Sequence, residues 1–301
     1  MGSHVRPISI AGESYEASPI RRVRRTKADI DRVEAAIHAT LLTDHPQTLR
    51  GLFYQLVSQG VVPKTEAAYK GLVGRLAVRM RRAGDLPYDW LADNTRWMRK
   101  PPTHSSLEAF LRRTAATYRR AVWDDMPAYV EIWLEKDALA GVLYDVTEPW
   151  DVALMVTRGY PSLSFLFEAA EALKADGKPV YLYYFGDFDP SGVDISRRVE
   201  AELRRMAPSA HIHFERVAVT EGQIRELRLP TRPTKETDSR ASSFGSRSVE
   251  VDAVPARVLR SMAERCIRRH IDRRQLEALQ VAEQSERNIL LSLANRWSDE
   301  S

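Results

Sequence analysis

From Ala128 onward, short apolar runs alternate with amphipathic helical patterns, and few folds have that texture. The runs are Tyr129 to Leu134, Val152 to Thr157, Val180 to Phe185 and His211 to Val219. They lack the in–out alternation of half-exposed strands, so each is predicted to be a strand buried on both faces of a parallel sheet with crossover helices. In open sheets of this kind ligands sit beyond the carboxyl ends of the strands. The first three runs end there in Glu135-Lys136-Asp137, in Arg158-Gly159-Tyr160-Pro161, and in Gly186-Asp187-Phe188-Asp189-Pro190-Ser191-Gly192. The three turns are expected to converge on one crevice.

Asp187 and Asp189 are two apart in an extended segment, which turns both carboxylates to one side at a backbone separation of roughly 6–7 Å. With Glu135 they place three hard oxygen donors on one edge, the ligand type that Mg2+ prefers. Pro190 and Gly192 enforce a tight exit, and Gly186 permits close backbone approach. An Asp-x-Asp in such a turn also serves simply to cap the next helix; Glu135 at the matching end of another strand weighs toward metal. Arg158 in the same crevice is read as a phosphate contact, or else as a balance to the acids.

The first 126 residues have a different character. They carry 21 Lys/Arg against 13 Asp/Glu, a net +8, whereas the remainder carries 24 against 28, a net −4. That asymmetry fits a polyanion partner for the first part and a cation for the second, or ordinary solvated charge in both. Met1 to His4 read as an expression-tag remnant, and Arg21, Arg22, Arg24 and Arg25 as part of a flexible basic arm over residues 1–26. Helices are predicted over Asp29 to Leu42, Thr48 to Ser58, and Thr65 to about Arg82. Three short helices, the last cationic through Lys70, Arg75, Arg79 and Arg82, followed by a turn-rich Ala83 to Tyr88, suggest a winged-helix-like DNA-binding unit over 27–104. Ser105 or Ser106 caps a connecting helix to about Trp123, so that 105–127 joins this unit to the α/β domain, 128–301. The one cysteine, Cys266, rules out an intrachain disulfide and fits a reducing cytoplasm. No run of about 18 apolar residues marks a membrane span.

Glu135-Lys136 after an apolar strand, the Arg158-Gly159-Tyr160-Pro161 turn, and Gly-Asp-x-Asp-Pro-x-Gly at 186–192 resemble the Toprim domain. The proline and final glycine resemble topoisomerase VI A subunits and the meiotic double-strand-break transesterases more than primases or type IA topoisomerases. That family carries its nucleophilic tyrosine on a winged helix, four residues after an arginine, and Arg50-Gly51-Leu52-Phe53-Tyr54 is similar. Four residues apart on a helix, Arg50 and Tyr54 share a face; taken alone, a helical tyrosine beside phenylalanine is more often core filler.

The resemblance implies Mg2+ at Glu135, Asp187 and Asp189, and Tyr54 attacking DNA to leave a 5′-phosphotyrosyl break. It also implies a homodimer in which Tyr54 of one protomer works with the acids of the other, on double-stranded DNA, in the cytoplasm and associated with the nucleoid. The short N-terminal extension offers no evident segment for a separate ATPase B-type subunit, so the nearest fit is to stand-alone A-subunit-like proteins, the topoisomerase mini-A group. Two alternatives stand beside this reading: a Toprim nuclease using metal-activated water, and a non-catalytic DNA-binding partner protein. Among weaker candidates, Leu229 to Ser248 reads as a DNA-contacting or plain surface loop, Glu250 and Asp252 as support for the metal edge in a strand-like segment, and His211 and His213 as strand surface.

Overall fold

The computed structural model describes residues 26–92, 101–175, 177–234 and 244–298. The basic cluster at Arg21, Arg22, Arg24 and Arg25 lies outside them, as do Lys235 and Arg240 of the 229–248 stretch. Helix α1 (Lys27–Thr43) starts at a capping box in which the Thr26 hydroxyl accepts from the Asp29 N–H and the Asp29 carboxylate accepts from the Thr26 N–H. Strand β1 (Gln47–Thr48) leads into α2 (Leu49–Ser58), whose first turn is capped by the Thr48 hydroxyl.

The predicted third helix runs through α3 (Glu66–Ala68), a π-helical segment (Tyr69–Gly74) and α4 (Arg75–Ala83). Periodicity did not expose the π segment, which contains Gly71 and Gly74. Gly84, at φ +85°, ends α4. Strand β2 (Leu91–Ala92) then pairs in parallel with β1, tying the end of this unit to the start of α2.

After α5 (Leu107–Thr117) the chain forms the central strands and their crossovers: β3 (Tyr129–Leu134), α6 (Ala140–Thr147), β4 (Ala153–Val156), α7 (Leu163–Ala175), β5 (Val180–Phe185), α8 (Pro190–Met206) and β6 (Ile212–Ala218). The four strands pair only in parallel, in the order β4-β3-β5-β6, as the apolar runs predict. After β6 come α9 (Glu221–Glu226), the antiparallel pair β7 (Arg232–Pro233) and β8 (Arg247–Ser248), and two helices, α10 (Ala256–Arg268) and α11 (Arg273–Ser298).

Burial on both faces explains why the strands read as continuous apolar runs. Val130, Ile132 and Leu134 of β3, with Tyr183 and Phe185 of β5, point into a core that continues through α6 and α10 to Leu52 and Leu56 of α2 and Ile37 of α1. Their alternates, Trp133, Leu182 and Tyr184, point to a second core under α7 and α8. The two edge strands depart from the expectation: Ala153–Val156 of β4 are only half-buried, and β6 exposes His213 and Glu215, with His213 stacked on Tyr181 at 4.5 Å.

The connecting helix α5 is capped by Ser106, as expected, but stops at Thr117, short of the expected Trp123. Helix α11 causes the early end. Arg287 donates to the Tyr118 carbonyl, the Tyr118 hydroxyl donates to Glu286 at 2.8 Å, and the Arg120 N–H donates to Glu283 at 2.9 Å, holding the chain extended. Among the described residues no helix is long and apolar enough to cross a membrane.

One buried acid is a stability element rather than a site residue. Glu131, on β3, is 3% exposed and accepts from the Trp133 indole N–H at 2.8 Å. Burial pushes its carboxyl up from 4.5 to about 7, an effect that the Trp133 hydrogen bond only partly offsets. A folded-state value above the unfolded one means that ionisation costs stability as pH rises from about 4.5 to about 7. Glu131→Gln keeps the indole bond and removes that cost. Its stability relative to wild type is expected to rise across this window, by roughly 3 kcal/mol when urea titrations above and below it are compared.

Candidate active site

The sheet order fixes where a site belongs. The chain steps outward from β3 to β4, then returns past β3 to β5, so the two connections leave in opposite directions and open a crevice between the carboxyl ends of β3 and β5. Glu135 follows β3 and Asp187 follows β5. Strand pairing continues one step into the turns, where the Glu135 N–H donates to the Phe185 carbonyl at 2.9 Å. The Asp187 N–H then donates to Glu135 Oε2, also at 2.9 Å. Glu135 and Asp187 are both buried, so the predicted convergence of these two turns is observed.

The glycines of the 186–192 turn are forced by packing. A Cβ on Gly186 would lie 2.6 Å from Glu135 Oε2, and one on Gly192 would lie 2.3 Å from the Asp187 carbonyl oxygen. Arg216 of β6, which sequence reasoning did not single out, holds the turn from beneath: its guanidinium donates to the carbonyls of Gly186, Asp187 and Gly192. Nothing in the local sequence of β6 signals that role, because the partners are backbone atoms of another segment.

The two aspartates differ. Asp187 Oδ1 accepts from the Val251 N–H at 2.8 Å, and Oδ2 lies 3.1 Å from Lys136 Nζ. Asp189 takes the capping role weighed above: its Oδ1 accepts from the Gly192 N–H at 2.8 Å at the start of α8, while Oδ2 lies 3.2 Å from Arg232. Glu250 and Asp252 join the cluster from a 3-10 turn, Val251–Ala253, rather than from the strand-like segment expected. A bridge between Phe188 and Val249 brings that turn alongside Asp187. The 229–248 stretch is likewise not structureless at its ends: β7 and β8 pair, and Arg232 reaches Glu250 at 3.0 Å.

Lys136 is the hub that the sequence did not reveal beyond its place beside Glu135. Its ammonium lies 3.1 Å from Asp187, 3.2 Å from Glu250 and 3.1 Å from Asp252. Those carboxylates raise its proton affinity despite burial. Glu250 is subject to the opposite effect: Lys136, Arg50 and Arg232 outweigh burial and hold its carboxyl down to about 2. Glu135 goes the other way, up to about 7, because burial and the neighbouring Asp187 charge both disfavour its ionised form.

Through Glu250 the cluster meets the N-terminal helices of the same chain. Arg50 lies 3.0 Å from Glu250 and 3.8 Å from Glu66, with its guanidinium over the Tyr69 ring. Tyr54, Arg50, Lys64, Arg232 and Glu250 line a cleft of about 210 Å³. Tyr54 itself is only 4% exposed, with Lys64 Nζ 5.2 Å from its ring centre. Burial and the Glu250 charge push its phenol up to about 12, against the pull of Arg50.

The third turn also meets the edge, its Gly159 N–H donating to the Glu135 carbonyl at 3.3 Å, but the side chains of the remaining predicted residues have their recorded partners elsewhere. Arg158, at φ +53°, is largely exposed and pairs with Asp137 at 3.1 Å. Lys70 is exposed and lies 3.7 Å from Glu66. Arg75, Arg79 and Arg82 are exposed along α4, with Arg79 bonded to Glu34 of α1.

For a divalent ion the donor chemistry fits. Glu135, Asp187 and Asp189 are hard oxygen donors at one sheet edge, and among the described residues no cationic side chain lies within ion-pair distance of the buried Glu135 carboxylate. The set is not pre-closed: among the described residues no three His, Cys, Asp or Glu side chains meet at metal-ligand spacing. Lys136 and Arg232 engage the outer oxygens of Asp187 and Asp189 instead.

Fold and site together define an α/β chain with a four-stranded parallel sheet and a buried acid–base cluster at its switch point. Neither a protein-family model nor a curated protein matches the sequence.

Proposed function

We propose that this chain cleaves DNA by tyrosine transesterification, with Tyr54 as nucleophile and Mg2+ held by Glu135, Asp187 and Asp189. The observation that carries the reading is the contact chain Arg50–Glu250–Lys136–Asp187, which joins the Tyr54 cleft to the acidic edge of the sheet. Bound Mg2+ supplies positive charge for the departing 3′-oxygen. In the reaction the Tyr54 oxygen bonds to phosphorus, the bond from phosphorus to the 3′-oxygen breaks, and the phenolic proton ends on the released 3′-hydroxyl. The phosphodiester is conserved as a 5′-phosphotyrosine. Arg50 is the residue that favours the phenolate, and a DNA phosphate that draws it from Glu250 brings it into that role.

A second reading is favoured by the burial of Tyr54 and by its phenol at about 12: the same acidic edge acts as a nuclease on metal-activated water, and Tyr54 is structural. Denaturing capture of DNA after incubation with Mg2+ separates the readings. Transesterification gives a protein–DNA adduct, the nuclease gives free ends, and a non-catalytic DNA-binding protein leaves DNA intact.

The winged-helix-like unit is part of the proposal, with Arg75, Arg79 and Arg82 of α4 as its phosphate contacts. Neutralising any one of them is expected to lower the log–log salt slope of DNA affinity by about one unit. An unchanged slope in all three variants would move the DNA surface away from α4. Cutting both strands calls for two sites related by the symmetry of the duplex, hence a homodimer. The resemblance implies that Tyr54 and the acids come from different protomers, whereas the contacts through Glu250 offer a site within one chain. Mixed Tyr54→Phe and Asp187→Ala protomers tell these apart: nicking marks the exchanged arrangement, and silence in confirmed heterodimers marks the intrachain one.

A further inference from the structure

Glu135 and Lys136 divide the acidic cluster into two unlike halves. They are the two residues that follow β3, and their side chains meet different partners. On one side, Glu135 Oε2 accepts the Asp187 N–H, and no cation among the described residues pairs with it. On the other, Lys136 Nζ is surrounded by Asp187 Oδ2, Glu250 Oε2 and Asp252 Oδ2 at 3.1, 3.2 and 3.1 Å. The ammonium donates a hydrogen bond to Glu250 Oε2 and pairs by charge with Asp187 and Asp252, so one fixed positive charge serves all three carboxylates. The side chains of those three acids are 10%, 9% and 1% exposed, and buried carboxylates of that kind need a cation.

We propose that Lys136 is a built-in cation that fills the second cation position of this edge, so that the site takes a single divalent ion, on the Glu135 side of Asp187. The inference rests on the metal reading of the site and adds its stoichiometry and the residue that sets it. A divalent ion needs oxygens at roughly 2.0–2.6 Å, much closer than the shell around Lys136. A second ion would therefore have to displace the ammonium, and the ammonium charge opposes its entry. On the Glu135 side the obstacle is smaller: Arg232, a part-exposed guanidinium, pairs with Asp189 Oδ2 at 3.2 Å, and Glu135 itself has no cation partner among the described residues.

The test is to count Mn2+, used in place of Mg2+, by calorimetry and by the loss of the free-ion electron-spin signal. It uses the full chain without DNA, at a pH well above the Glu135 value. Wild type is expected to bind one ion per chain, Glu135→Gln none, and Lys136→Met two. Without metal, Lys136→Met should melt below wild type, and Mn2+ should restore it, because three buried carboxylates then lack their cation. Two ions on wild type, an ion retained by Glu135→Gln, or a single ion on folded Lys136→Met would each overturn the inference. If Lys136→Met does not fold, wild type and Glu135→Gln still decide. Failure of the underlying reading is distinguishable: wild type then binds no ion at all, and the inference falls with it.

Discussion

Gly192→Ala is expected to destabilise the protein by about 3 kcal/mol and to abolish divalent-ion binding at the acidic edge. The added Cβ would lie 2.3 Å from the Asp187 carbonyl oxygen and 3.1 Å from the Asp187 Cβ. A flexible side chain could move aside, but these atoms are held. Glu135 fixes the Asp187 N–H, Arg216 fixes its carbonyl, and the Val251 N–H fixes its carboxylate. Relief of the clash therefore requires the whole 186–192 turn to shift, and with it both aspartates. Gly71→Ala is the matched control: nothing lies within 4 Å of a Cβ there, in a helical segment. It is expected to stabilise the protein by up to about 1 kcal/mol. Urea denaturation of both variants checks the pair, and wild-type stability in Gly192→Ala would mean that the turn is not packed as described.

Tyr54→Phe and Asp187→Ala are each expected to reduce covalent DNA capture by at least about 1,000-fold, for different reasons. The first removes the attacking oxygen and leaves the buried ring, so stability should change little. The second removes a proposed metal ligand, frees the Val251 N–H and takes one of three carboxylates from Lys136, at a stability cost of about 1–3 kcal/mol. Both should bind DNA nearly as wild type, since neither changes the exposed arginines of α4. Filter-binding and capture assays on the same preparations separate binding from chemistry. Capture at the wild-type level by Tyr54→Phe would remove the tyrosine from the mechanism.

The sheet was legible in the sequence because strands covered on both faces must be apolar throughout, and that pattern survives without tertiary knowledge. The convergence of Glu135 and Asp187 followed from the rule for carboxyl edges. What stayed hidden depends on contacts between distant segments. Arg216 acts on backbone carbonyls 24 to 30 residues away, and Arg232 reaches Asp189 from within what read as a loop. Lys136 was visible only as the neighbour of Glu135; its three carboxylates come from residues 187, 250 and 252. The end of α5 at Thr117 was likewise set by α11, more than 160 residues later. The Asp-x-Asp motif was ambiguous between ligand and cap because Asp189 does cap α8 while its other oxygen remains at the site.

In the proposed reaction Tyr54 becomes bonded to a DNA 5′-phosphate under the control of the acidic edge. The direct measurement is mass spectrometry of the nucleotide-bearing peptide, recovered after denaturing capture on supercoiled DNA with Mg2+ and digestion of protein and DNA. The expected result is a nucleotide adduct on Tyr54, dependent on Mg2+ and absent from Asp187→Ala. DNA broken in a metal-dependent way with free 5′-ends and an unmodified Tyr54 peptide would contradict it.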